Sequence, residues 1–143
     1  MDIFQPITLT ASATLNRKSH AGTLINASAA AGMTLTLPAS TGKGDVYTVR
    51  VKTTVTSNNL IIQVANATDV MTGYALLAQD AADTAVMFET ASTSDTITMN
   101  GSTKGGIVGD LIELIDADAG FWQVRVIGSA TGTEATPFSA AVS

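Results

Sequence analysis

The chain has no cysteine, one histidine, one tryptophan and seven basic residues among its 143. Each shortage removes a class of function. Without cysteine, neither disulfides nor thiolate metal sites can staple the fold. A lone His20 cannot supply the ligand set that zinc needs. A nucleophile–His–acid triad would also rest on it alone, in the loop-like setting NRKSHAG and with no G-x-S-x-G elbow in the chain. The net charge of −5, with Arg17-Lys18 the only adjacent basic pair, leaves no footprint for nucleic-acid phosphates. Aromatics at 5% make a sugar-stacking glycosidase cleft a poor fit for the twelve acids. No apolar run approaches about 18 residues, so no membrane span is expected. The first twenty residues lack a basic-then-apolar leader pattern, so no secretory signal is expected and a soluble protein is. No catalytic, cofactor-binding or metal-binding set remains, and the chain is expected not to be an enzyme.

What is present is alternation. Ile7–Thr10, Met33–Leu37, Val46–Lys52, Asp95–Asn100 and Phe121–Val126 place apolar residues at every second position, many of them interleaved with threonine. That period fits strands with one buried face. Tyr47, Val49 and Val51 share one face of their segment, and Trp122, Val124 and Val126 share one face of theirs. Thr23–Asn26, Leu60–Val64, Val70–Tyr74, Ala85–Glu89 and Leu111–Asp116 are further strand candidates. Helix is confined to single turns at Ala27–Ala31 or, better, Leu76–Ala82. Strands spaced by Gly, Ser, Thr and Asn clusters predict an all-β fold. The expected form is an antiparallel, jelly-roll-like sandwich or barrel of about 8–10 short strands. One domain is expected: residues 1–20 as an N-terminal arm and first strand, 20–128 as core and 129–143 as a C-terminal tail. Both ends are expected to be extended arms.

Three loops invite a chemical reading. DADAG (116–120) lies between apolar runs. Counted from Asp116 as a calcium loop, the sixth place is Phe121 and the twelfth Ile127, where glycine and a bidentate glutamate are required. The stretch reads as a hairpin turn with Gly120 at a positive φ and a bulge. A weak calcium site from Asp116, Asp118 and Glu113 is the alternative. STGKGD lacks the leading glycine (position 37 is leucine), has Gly44 where a P-loop has Ser or Thr, and precedes a strand. GGIVG (105–109) opens no helix, so it is no dinucleotide fingerprint. Asn26, Asn66 and Asn100 head sequons that carry no weight without a secretory leader. Trp122 reads as a core anchor or, secondarily, an interface residue. MTLTLPASTGKGDVYTVRV and DTITMNGSTKGGIVGDLIELI share an order of strand, small-residue loop, Gly-Asp and strand, which would give Gly44-Asp45 and Gly109-Asp110 equivalent places.

A β chain with 13% charged residues, about half the usual share, suits close approach to other proteins. Few charges would have to be buried at the contact. MDIFQP and the Ser/Thr/Ala-rich tail around Pro137-Phe138 read as arms with isolated apolar anchors. T-L-P before a Gly-rich loop, G-D-L-I-E-L at 109–114 and the W-Q-V strand before a Gly/Thr tail resemble small virion structural proteins of tailed bacteriophages. The resemblance spans roughly residues 20–138 and is to head decoration (cement) proteins, with related β-rich modules in head and tail fibres. It implies a homo-oligomer, often a trimer, on the outside of the capsid, bridging and stabilising major capsid protein subunits. It also implies a virion location after synthesis in the host cytoplasm. Ile3, Phe4 and Pro6 in the N-terminal arm and Pro137 and Phe138 in the tail are the candidate contacts. The alternative is a fibre or receptor-binding module that contacts host surface glycans.

Overall fold

A computed structural model describes residues 5–143. The described residues form twelve strands and one helical turn: β1 (Ile7–Leu9), β2 (Ala13–Thr14), α1 (Arg17–His20), β3 (Leu24–Ala27), β4 (Met33–Thr36), β5 (Val46–Val51), β6 (Leu60–Gln63), β7 (Val70–Gln79), β8 (Ala85–Glu89), β9 (Thr96–Met99), β10 (Leu111–Asp118), β11 (Phe121–Ala130) and β12 (Phe138–Ser139). They make two sheets, one of seven strands in the order β1-β3-β5-β10-β11-β7-β8 and one of five in the order β12-β9-β6-β4-β2. The fold is an all-β sandwich, as the alternation predicts. Every one of the ten strand candidates is a strand.

The pairing is mixed rather than purely antiparallel. From β1 to β6 the chain changes sheet at every step, so each strand returning to a sheet runs the same way as its predecessor. β1, β3 and β5 are therefore parallel in one sheet, and β2, β4 and β6 in the other. From β7 onward local hairpins join β7 to β8 and β10 to β11 antiparallel. β7 and β11 then pair in parallel over ten residues. Turn residues between strands look alike whether the chain reverses or crosses to the facing sheet, so the sequence pattern leaves direction open.

The core lies between the sheets. Val49, Ile112, Val124 and Trp122 face Leu35, Ile62 and Ile97, all at most 1% exposed. Burying each such side chain contributes about 1.5–3 kcal/mol. Tyr47 and Trp122 meet edge to face with ring centroids 5.7 Å apart, a favoured aromatic geometry. Trp122 is thus the core anchor of its two readings.

One local expectation is corrected. The helical turn is neither at 27–31 nor at 76–82. Leu76–Gln79 belong to β7, where Leu77 is buried and Leu76 points outward, because two neighbouring strands hold the segment extended. The helical turn is Arg17–His20. Asn16 caps it by accepting from the Ser19 N–H (2.9 Å), and the His20 Nδ1 accepts the Asn16 N–H (2.9 Å). The only histidine is therefore a structural cap. The C-terminal tail docks on the sandwich of its own chain. β12 pairs with β9 at the edge of the five-stranded sheet, and the Asp95 carboxylate accepts the N–H groups of Ala141 and Val142 (2.8 and 3.3 Å).

Candidate interaction surface

The outward face of the seven-stranded sheet departs from the apolar-in, polar-out rule for a sheet with one solvated side. In register across β10, β11, β7 and β8 stand Leu111, Ile127, Leu76 and Met87. All four are exposed, Ile127 at 50% and Met87 at 62%. At about 4.8 Å per strand the row runs ~14 Å. The next row reads Glu113, Arg125, Tyr74 and Glu89. Arg125 pairs with Glu113 at 3.3 Å, an exposed contact worth little by itself. Between the rows lies a groove of about 310 Å³, lined by Tyr74, Leu76, Met87, Arg125 and Ile127 among others. The outer face of the five-stranded sheet carries Thr34, Thr36, Ile61, Gln63 and Thr98, none of them fully exposed. Only the first face carries a contiguous exposed apolar row among the described residues.

Local alternation assigns neither Leu76 nor Met87 to a surface. The signal for them is apolar residues at both parities of a strand, as in YALLA (74–78) and LIELI (111–115). A strand buried on one face needs only one parity.

The polar clusters are structural. DADAG is a hairpin turn between β10 and β11, with a register shift between Asp116 and Asp118 and Gly120 at φ +84°. Asp116 points inward, and its carboxylate accepts from the Ser40 hydroxyl (2.8 Å), the Thr41 N–H (3.0 Å) and hydroxyl (3.0 Å), and the Gly42 N–H (2.8 Å). Burial alone would raise its pKa, but these donors outweigh burial and hold the carboxyl below the ordinary aspartate value. Asp118 accepts from the Ala119 N–H, and Glu113 faces the opposite side of the sheet. The three carboxylates proposed for calcium therefore do not converge. Among the described residues, no group of three or more His, Asp or Glu side chains is placed to hold a metal. Asp110, 2% exposed, is a second buried carboxylate. It accepts the N–H groups of Gly106 (2.9 Å), Ile107 (3.2 Å) and Ser129 (3.0 Å). Here burial outweighs the hydrogen bonds and the pKa is raised.

Of the contacts expected from sequence, Ile3 and Phe4 lie outside the described residues. Pro6 is exposed just ahead of β1. Pro137 and Phe138 are buried, Phe138 opposite Ile97 of β9, so their side chains pack into this chain's own sandwich. The structure does not bring Pro6 together with them at one site. No described helix is long and apolar enough to cross a membrane. No protein-family model, curated protein or solved structure matches the chain.

Proposed function

We propose that this chain is a non-catalytic virion structural protein that decorates the outside of a phage capsid and stabilises it by bridging major capsid protein subunits. The carrying observation is the apolar row Leu111–Ile127–Leu76–Met87 on an otherwise solvated sheet face. Its area can be buried against a protein surface at little desolvation cost, and among the described residues its charged neighbours are paired (Arg125 with Glu113) or lie at the row's rim. The low share of charged residues and the phage-protein resemblance at 20–138 support the same reading. Modest contacts of this kind add up when a homo-oligomer makes several at once on a lattice.

The exposed Tyr74 beside Arg125 favours a second reading, a fibre module whose groove receives a host surface glycan. Electron microscopy of particles with and without the protein separates the two. Regular knobs that vanish from the capsid surface support decoration; loss of a single appendage supports the fibre. Adding back a Leu76→Asp variant is expected to leave capsid sites largely empty. Full occupancy by that variant overturns the role of this face.

A further inference from the structure

Two sheets in a sandwich have four edges, and three of them are blunted. β2 and β12 are two residues long, and β1 is three residues and follows Pro6 directly. Short edges and edge prolines are the usual protection against strand addition. β8 has five residues, AVMFE, with no proline, no lysine and a single charge at its end.

The hydrogen-bond parity of β8 is fixed by its ends. The Gln79 N–H donates to the Thr84 carbonyl (3.0 Å), and the Thr90 N–H to the Gly73 carbonyl (3.1 Å). With Leu77 opposite Val86 and Ala75 opposite Phe88, alternation makes Val86 and Phe88 the residues that bond β7. Ala85, Met87 and Glu89 then direct their N–H and C=O groups away from the sheet. Those outward groups are spaced to match a copy of themselves.

We propose that β8 is a self-association edge, at which two copies of this chain pair antiparallel about a two-fold axis through Met87. Met87 lies opposite the second copy's Met87, and Ala85 opposite its Glu89. Every outward N–H and C=O on the strand is then closed in a hydrogen-bonded pair. The charges agree with this register. Each Glu89 faces a neutral alanine, and the two Glu89 residues stand four positions apart, ~14 Å at about 3.4 Å per residue. That exceeds the Debye length of about 8 Å at physiological salt. In the same register Asp83, in the turn before β8, falls opposite the uncharged Ala91. The outer face joins as well: Leu111–Ile127–Leu76–Met87 runs into the axis and continues in reverse order on the second copy. The result is one continuous apolar row of ~34 Å across a fourteen-stranded sheet. A contact of this kind is isologous and closes at two copies. It stands whether or not the partner on the outer face is a capsid.

The test is the mass of the purified full-length chain by light scattering across the micromolar range, for the parent and two variants. The parent is expected to be a dimer. Met87→Pro is expected to halve the mass while leaving the circular dichroism spectrum and melting midpoint nearly unchanged. Its lost N–H bonds nothing among the described residues, and proline is tolerated at an outward edge position. Met87→Cys introduces the only thiol. Its Cα atoms would sit about 5.5 Å apart in a hydrogen-bonded antiparallel pair, within the disulfide range of about 4.4–6.8 Å, and mild oxidation is expected to convert it to a covalent dimer. A monomeric parent whose Met87→Cys form does not cross-link overturns the proposal. So does a dimer, or a trimer, whose mass Met87→Pro leaves intact.

Discussion

Gly44-Asp45 leads into β5 and Gly109-Asp110 leads into β10, 65 residues further along. The Gly44 N–H donates to the Asp116 carbonyl (2.8 Å), and the Asp116 N–H returns a bond to the Asp45 carbonyl (2.9 Å). The Gly109 N–H donates to the Val51 carbonyl (2.8 Å), and the Val51 N–H returns one to the Asp110 carbonyl (2.9 Å). Gly109 and Asp110 lie 65 residues after Gly44 and Asp45, and Val51 lies 65 before Asp116, so the sequence echo corresponds to a local two-fold relation between β5 and β10. The side chains break that relation. Asp45 makes a surface ion pair with Arg17 at 3.0 Å. Asp110 is buried and ties its own loop at Gly106 and Ile107 to Ser129. The loop at 40–42 is held instead by Asp116, which occupies the place Val51 takes in the other half. One backbone frame therefore accepts either a local or a distant carboxylate lock, and which it has is written in one residue.

Removing each lock in turn breaks the comparison most directly. Asp110→Ala leaves the buried Gly106 N–H without a partner and loosens the Ile107 and Ser129 contacts. It is expected to cost about 2–4 kcal/mol in urea unfolding, since orphaned buried donors cost roughly 1–3 kcal/mol each. Asp116→Ala frees Ser40, Thr41 and Gly42, which water can reach, so about 1–2 kcal/mol is expected. Equal losses would mean that burial of the donors does not set the difference.

Acid sharpens the contrast, because the two carboxyls are shifted in opposite directions. The pKa of Asp116 is depressed. Its stabilisation is present above the ordinary aspartate value of about 3.9 and is lost as pH falls through the lower folded value. The stability gap between the parent and Asp116→Asn should therefore shrink on acidification. The pKa of Asp110 is raised. Keeping it ionised costs stability at neutral pH, and the cost is relieved as pH falls through the raised value toward about 3.9. Relative to Asp110→Asn, the parent should gain stability over that window. Unfolding curves from neutral pH downward read both gaps, and a common direction would contradict the assignment.

The smallest effect tests the two-fold relation itself. Gly44 and Gly109 have φ of +78° and +99°, and a Cβ at either meets nothing within 4 Å. Gly44→Ala and Gly109→Ala should each cost about 1–2 kcal/mol from backbone strain alone, and by nearly equal amounts. A large difference in melting midpoint would show that the two turns are not equivalent.

Much of this fold is legible in the sequence, for reasons that also set the limits. Val46–Val51 and Phe121–Val126 alternate cleanly because a single face is buried, and their inward residues are the ones alternation picks out. β2 and β12 are two residues long, too short for a period to show. Leu76 and Leu77 look helical because adjacent leucines in a strand require both faces to be apolar. The apolar row depends on register between strands far apart in the chain, which no local pattern encodes. DADAG is readable as a turn from Gly120. That Asp116 also captures Ser40, Thr41 and Gly42 is not, because the partners lie more than seventy positions away.

The parallel pairing of β7 with β11 has a consequence for how the chain is made. Val70 waits for Phe121, 51 residues later. At a synthesis rate of roughly 5–20 residues per second, β7 passes about 3–10 s with only β8 beside it. During that interval both long edges of the β7–β8 hairpin are open, with Tyr74, Leu76 and Met87 on one face and the core residues Met71, Ala75 and Leu77 on the other. The nascent hairpin is thus open to association on both edges before it becomes the rim of a sheet. The speed of translation between codons 80 and 120 is therefore a variable that should govern the yield of soluble protein.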